Sequence, residues 1–239
     1  MTTIQTDIKT LFEAGAHFGY ARSRRHPTAS AFLYGTRDRM DIFDLEGTYK
    51  YLEAARAFVS SSAGNGKTVL FVGGKHEVVA AVKETAQRAG MPYVAGRWIG
   101  GTLTNFKNIH KRIDRLKKLT EERESGELEK YTKKERLLID REIEELLGRF
   151  GGLASMAELP DALFVIDTRH ENTAVQEANQ LGIPVIGLAS SDCDFSLIQY
   201  PIPANDTSVR SVRLVCEQLA DAYLEGKKAQ VAKPNTLDK

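Results

Sequence analysis

Four short apolar runs, at 68–72, 92–95, 163–166 and 184–188, constrain the fold of this chain more than any other feature. None of them alternates with polar residues. A strand with one wet face alternates. A strand buried on both faces reads as continuous Val, Ile, Leu and Phe, as in parallel sheets covered by helices. Helical periodicity occupies the intervals at 75–89 and 171–181, and again at 208–224. Another helical pattern precedes the first run, with Leu45, Tyr49, Leu52, Ala55 and Val59 at three- and four-residue steps after Asp44. This alternation predicts a parallel sheet in a three-layer α/β/α sandwich. Right-handed crossovers restrict it to the doubly wound, Rossmann- or flavodoxin-like kind.

One interval is too long for a single crossover helix. It carries Phe106, Ile109, Ile113 and Leu116, then Ser125 and Gly126, then Ile139, Ile143, Leu146 and Phe150. Two narrow apolar seams on otherwise charged segments predict an inserted antiparallel coiled-coil hairpin over 104–150. The expected domain is therefore discontinuous, 1–103 and 151–226. It includes an N-terminal helix over 6–14, with Thr6 and Asp7 as cap candidates. It also includes a β-hairpin from 31–34 and 40–43 around a turn at 35–39. The segment 227–239 lacks apolar periodicity, contains Lys227, Lys228, Lys233 and Pro234, and is expected to be disordered.

The formal net charge is only +1. The layout matters more than the total. Residues 20–40 hold five arginines against one aspartate, and residues 96–120 hold seven bases against one acid. Residues 121–147 offset them with ten acids against six bases. A polyanion feels the local patch, because salt screens charge beyond about 8–10 Å. Cys193 and Cys216 have no CxxC spacing and are read as reduced thiols. No apolar run approaches the ~20 residues of a membrane helix. No N-terminal signal pattern is present, so a cytoplasmic protein is expected.

Catalytic constellations are thin. HExxH and GxSxG are absent, and the five histidines are scattered. The segment 64–68, GNGKT, precedes a strand, whereas a phosphate-binding loop must follow one. Gly73, Gly74 and Lys75 do follow a strand and open a helix, a place where backbone N–H groups can hold an anion. Asp167 and His170 lie at a strand end, where either a helix cap or a catalytic pair can sit. His17, Asp194 and Asp206 have the ligand types of a divalent site but no spacing that joins them. No metal and no cofactor is expected.

The densest segment is RWIGGTLTNF at 97–106, just past the second sheet strand. It joins a cation, the only tryptophan, two hydroxyls and an amide, with Thr104 placed to cap the following helix. Lys107, Lys111, Arg115 and Lys118 share one helical face. With the cationic loop Arg22, Arg24, Arg25 and His26, they form a footprint for a polyanion. The candidate RNA contacts are Arg22, Arg24, Arg25, His26, Arg37, Arg97, Trp98, Thr104, Asn105, Lys107, Lys111, Arg112 and Arg115. A nucleotide or small-anion site at the carboxyl edge of the sheet, and a protein-docking role for the hairpin or the N-terminal helix, remain the alternatives at this point.

Five ordered motifs carry a family resemblance. They are LFEAGAHFG at 11–19, RWIGGTLTNF at 97–106, LPDALFVID at 159–167, IPVI at 183–186, and YPIP at 200–203 followed by Asn205, Asp206, Arg210 and Ser211. Together they resemble the ribosomal protein S-two family of the small ribosomal subunit, bacterial type, from about residue 4 to residue 226. The resemblance implies a parallel α/β domain with an inserted coiled-coil hairpin, bound to small-subunit ribosomal RNA between head and body, without catalysis. It further implies neighbouring ribosomal proteins as partners, among them the large mRNA-binding protein S-one, and no membrane or small-molecule substrate. The chain departs from the family pattern at 190–195 and at 204–207, which weakens any metal proposal at His17, Asp194 and Asp206.

Overall fold

The structure is a computed structural model in which residues 8–232 are described. Seven α-helices and eight strands occur among them, with five short 3-10 turns. The helices are α1 (Ile8–Glu13), α2 (Leu45–Gly64), α3 (His76–Ala89), α4 (Phe106–Glu124), α5 (Lys133–Phe150), α6 (Asn172–Gln180) and α7 (Val209–Ala232). The strands are β1 (Phe18–Ala21), β2 (Leu33–Arg37), β3 (Met40–Phe43), β4 (Val69–Gly73), β5 (Tyr93–Ala95), β6 (Ala162–Ile166), β7 (Val185–Ala189) and β8 (Tyr200–Pro203).

β4 to β8 form one parallel sheet in the spatial order β5-β4-β6-β7-β8. Numbered within that sheet, the order is 2-1-3-4-5, the flavodoxin-like winding, whose direction reverses between β4 and β6. The four expected strands lie where their apolar runs predict. The fifth, β8, is unexpected because Pro201 and Pro203 fall inside it. Proline has no N–H to give a ladder, and the sheet tolerates it here because β8 is an edge.

Alternate residues of the central strands build two cores. Val69, Phe71, Phe164, Ile186 and Leu188 face α2, α3 and α7. Leu70, Val72, Leu163, Val165 and Val185 face the apolar side of α6 and the roots of α4 and α5. Ile109, Ile113, Leu116 and Leu119 of α4 are buried, as are Ile143, Leu146 and Phe150 of α5. Arg115 Nε donates to Glu142 across the two helices at 3.1 Å. A reciprocal capping box between Thr132 and Glu135 starts α5.

The N-terminal region differs in detail from expectation. β1 joins the hairpin to make a three-stranded antiparallel sheet, β1-β3-β2. The turn is tighter than 35–39: β2 continues to Arg37, opposite Met40, leaving only Asp38 and Arg39, with φ of 50° and 65°. Two-residue hairpin turns with both φ positive match the right-handed strand twist. Thr6 and Asp7 lie outside the described residues.

The expectation for the tail needs correction. α7 continues to Ala232, so 227–232 is helical, and 233–239 lies outside the described residues. Gly226 does not break the helix. It lets α7 press on α2 so closely that a Cβ there would lie 2.1 Å from the Ser60 carbonyl oxygen. Gly226→Ala is expected to lose about 1–3 kcal/mol of folding stability through overpacking, measured by urea unfolding, and an unchanged midpoint would contradict this packing.

Candidate nucleic-acid interface

The RWIGGTLTNF segment folds around a carboxylate that belongs to the protein itself. Glu177 of α6 is 7% exposed. It accepts hydrogen bonds from the Trp98 indole Nε1 at 3.1 Å, the Gly101 amide at 2.8 Å and the Leu103 amide at 3.0 Å. The Thr104 amide and hydroxyl each donate to it at 3.1 Å. Converging backbone N–H groups are how proteins bind phosphate. Here the anion is intramolecular. Burial alone would push the Glu177 carboxyl up, but the donors from Thr104, Gly101, Trp98 and Leu103 hold it below the ordinary glutamate range.

This arrangement reassigns two predicted contacts. Trp98 is buried, with its N–H committed to Glu177. The Thr104 hydroxyl does not cap α4. It too is spent on Glu177, and Asn105 is the N-cap residue without a side-chain cap bond. Glu177 escaped the sequence reading. Its signal was an acid on the α6 face that also carries Ala174 and Ala178, an apolar stripe where a carboxylate needs a partner.

A second loop is filled in the same way. Glu171, 3% exposed, accepts the Gly74 amide at 3.0 Å and lies 2.7 Å from His170 Nδ1. The N–H that could hold a foreign anion is occupied. Lys75 turns inward and pairs with Asp167 and, at 3.4 Å, with Asp206. Burial works against the Asp167 charge, yet the Lys75 hydrogen bond and the His170 amide keep its carboxyl below the usual range. Burial and the neighbouring Asp167 charge push Asp206 up to about 7. Asp167 also accepts the Arg169 and His170 amides at 3.1 and 3.0 Å, so it caps the turn into α6.

His17, Asp194 and Asp206 do not form a common site. The His17 ring stacks on Phe12 at 4.5 Å, and Asp194 accepts from the Ser196 hydroxyl at 2.7 Å. Among the described residues, the group that brings three ligand atoms within 4.8 Å is Asp167, Cys193 and Asp206. The ammonium of Lys75 already supplies positive charge to both of those carboxylates.

The remaining predicted cations divide into two groups. Arg25 is bound to Asp41, with Nε at 2.8 Å from a carboxylate that is fully buried. Arg24 lies 4.4 Å over the Tyr20 ring and 3.4 Å from Asp192. Arg115 is spent on Glu142. His26 contacts the Thr28 hydroxyl at 2.8 Å. By contrast, Arg22, Arg97, Lys107, Lys111 and Arg112 are exposed and have no ion pair within 4 Å among the described residues. Arg37 has only Asp38 at 3.8 Å, and both side chains are almost fully in water. Such a pair is worth little.

The family model for ribosomal protein S2 matches residues 11–226. The chain belongs to the ribosomal protein S2 family. Among its relatives, the small ribosomal subunit protein uS2 of Coprothermobacter proteolyticus is 46% identical over 223 residues, covering 93% of this chain and 83% of the relative. The uS2 protein of Syntrophobacter fumaroxidans is 45% identical over 221 residues, 92% of this chain and 81% of the relative. That of Nitratiruptor is 44% identical over 220 residues, 92% and 82%. As a member of this family the chain is a structural, non-enzymatic constituent of the small ribosomal subunit and serves translation. No described helix is long and apolar enough to cross a membrane.

Folding favours the charged form of Glu177. Its stabilisation is complete above the ordinary glutamate value of 4.5 and is lost as pH falls through the depressed native value. Glu177→Gln is expected to cost about 2–4 kcal/mol at neutral pH, as several charge-assisted hydrogen bonds weaken together. It should also flatten the acid limb of a plot of Tm against pH. A parallel acid limb in the two proteins would show that the loop does not depend on this charge.

Proposed function

We propose that the chain binds small-subunit ribosomal RNA by its phosphate backbone. Arg22, Arg37, Arg97, Lys107, Lys111 and Arg112 make the contacts, while Arg24, Arg25, His26 and Arg115 hold the cationic loop and the helical pair in shape. One observation carries this reading: these six cations point into solvent without a strong internal partner, whereas the buried acids Asp41, Asp167 and Asp192 each have a cation of their own. Helical RNA hides its base edges in a deep, narrow major groove, so recognition falls to phosphate and shape. Lys107 and Lys111 lie one turn apart on α4, the spacing of an extended cationic face. In this reading α4 and α5 form a coiled-coil hairpin that carries the face outward, and the protein works on the ribosome in the cytoplasm.

The same reading includes neighbouring ribosomal proteins, with the mRNA-binding protein S-one among them. It is supported by an exposed aromatic surface where α1 meets the small sheet. Phe12 is 59% exposed, Phe18 48% and Tyr34 84%. These rings line one groove with Ile42. Aromatic side chains are favoured anchors in protein interfaces.

Replacing Lys107, Lys111 and Arg112 together by alanine is expected to flatten the salt dependence of binding to a small-subunit RNA transcript. The slope of log affinity against log salt should fall by about 2.7, at about 0.9 per phosphate. An unchanged slope would remove α4 from the interface. A Phe18→Ala, Tyr34→Ala variant should retain RNA binding and lose co-sedimentation of S-one with the particle. Retention of both would remove the aromatic surface from the account.

A further inference from the structure

Between α3, the edge strand β5 and the last turns of α5 runs an open groove of about 350 Å³. Lys83, Arg97 and Arg149 stand on its rim, Tyr93 lies along it, and no carboxylate lines it. Lys83 and Arg97 are exposed and have no ion pair within 4 Å among the described residues. Arg149 meets Glu145 at 3.0 Å, but both side chains are more than half exposed, at 59% and 60%. Water-exposed pairs of this kind exchange partners at little cost.

Gly148 is an independent observation at the same groove. It lies inside α5, where alanine would serve the helix better. A Cβ built on it meets nothing within 4 Å. No packing inside the protein requires a glycine there, and its effect is to leave the groove wall bare for close approach by another molecule.

We infer that this groove seats a stretch of phosphate backbone from the ribosomal RNA, with Lys83, Arg97 and Arg149 on successive phosphates and the strand passing over Gly148. The inference rests on the RNA-binding reading above and extends it to Lys83 of α3 and Arg149 of α5, cations the sequence did not single out. An acidic peptide is the other extended polyanion that fits three cations. The chain of phosphates is favoured because Arg97, which lines the groove, belongs to the segment that leads into α4 and its exposed Lys107, Lys111 and Arg112.

The test uses the full chain and a small-subunit RNA transcript across a salt series. Gly148→Ala should fold like the parent, since its Cβ meets nothing within 4 Å, and should bind RNA more weakly by crowding the strand that passes over it. Gly148→Glu has the same room to fold but sets a carboxylate against phosphate, and should weaken binding about tenfold or more. A Lys83→Ala, Arg149→Ala variant should lower the salt slope by about 1.8, at about 0.9 per phosphate. If both of these variants bind RNA like the parent while the α4 triple variant loses affinity, the groove inference is overturned and the RNA reading stands. If the parent itself fails to bind the transcript, both fall. If Gly148→Glu keeps its RNA affinity but displaces an acidic protein from the assembled particle, the assignment of the groove to RNA is overturned.

Discussion

The structure depends on two carboxylates at α6, one on its N-cap residue and one within the helix. Glu171 and Glu177 enter two loops rich in backbone N–H groups, at Gly74 and at 98–104, and each occupies the position an external anion would take. In a sheet wound 2-1-3-4-5, ligands bind where the winding reverses, outside the carboxyl ends of the first and third strands. In this chain that position is filled from within. Lys75 is held by Asp167 and Asp206, the Gly74 amide by Glu171, and the three-stranded N-terminal sheet is tied down beside it through Ser191, which accepts the Tyr20 amide at 2.9 Å. The protein's own side chains thereby take the position that elsewhere in this fold holds a nucleotide's phosphates.

The same arrangement settles how charge is spent. Buried acids take the cations nearest to them: Arg25 goes to Asp41, Arg169 to Asp192 and Lys75 to Asp167. Among the described residues, the cations left outward without an ion pair include Arg97, Lys107, Lys111 and Arg112, in α4 and just before it. A net charge of +1 therefore coexists with locally cationic surfaces. Screening makes those surfaces, and not the total, the quantity an RNA responds to.

Much of the fold was legible in the sequence because its signals are local. Residues 69–72 are apolar on both faces since both faces are covered, and 109, 113 and 116 repeat because one stripe of α4 is buried. What escaped was set by partners distant in the chain. β8 contains two prolines and reads as a strand only once its edge position is known. The helical stretch past Gly226 depends on how closely Ser60 approaches. Trp98 and Thr104 looked available because Glu177, more than seventy residues later, is invisible to any local window. Arg115 looked like its neighbours Lys107 and Lys111 for the same reason, with Glu142 as its hidden partner. The segment 97–106 was rightly singled out as dense in donors, but most of that density serves the protein's interior.

The most direct test of the division between inward and outward charge is lysine acetylation read residue by residue by mass spectrometry, on the free chain and on the ribosome-bound chain. The account predicts that Lys107 and Lys111 react in the free chain and are protected on the ribosome. Lys75, enclosed by Asp167 and Asp206, should stay inert in both. Equal reactivity of Lys107 and Lys111 in both states, or a reactive Lys75 in the free chain, would contradict it.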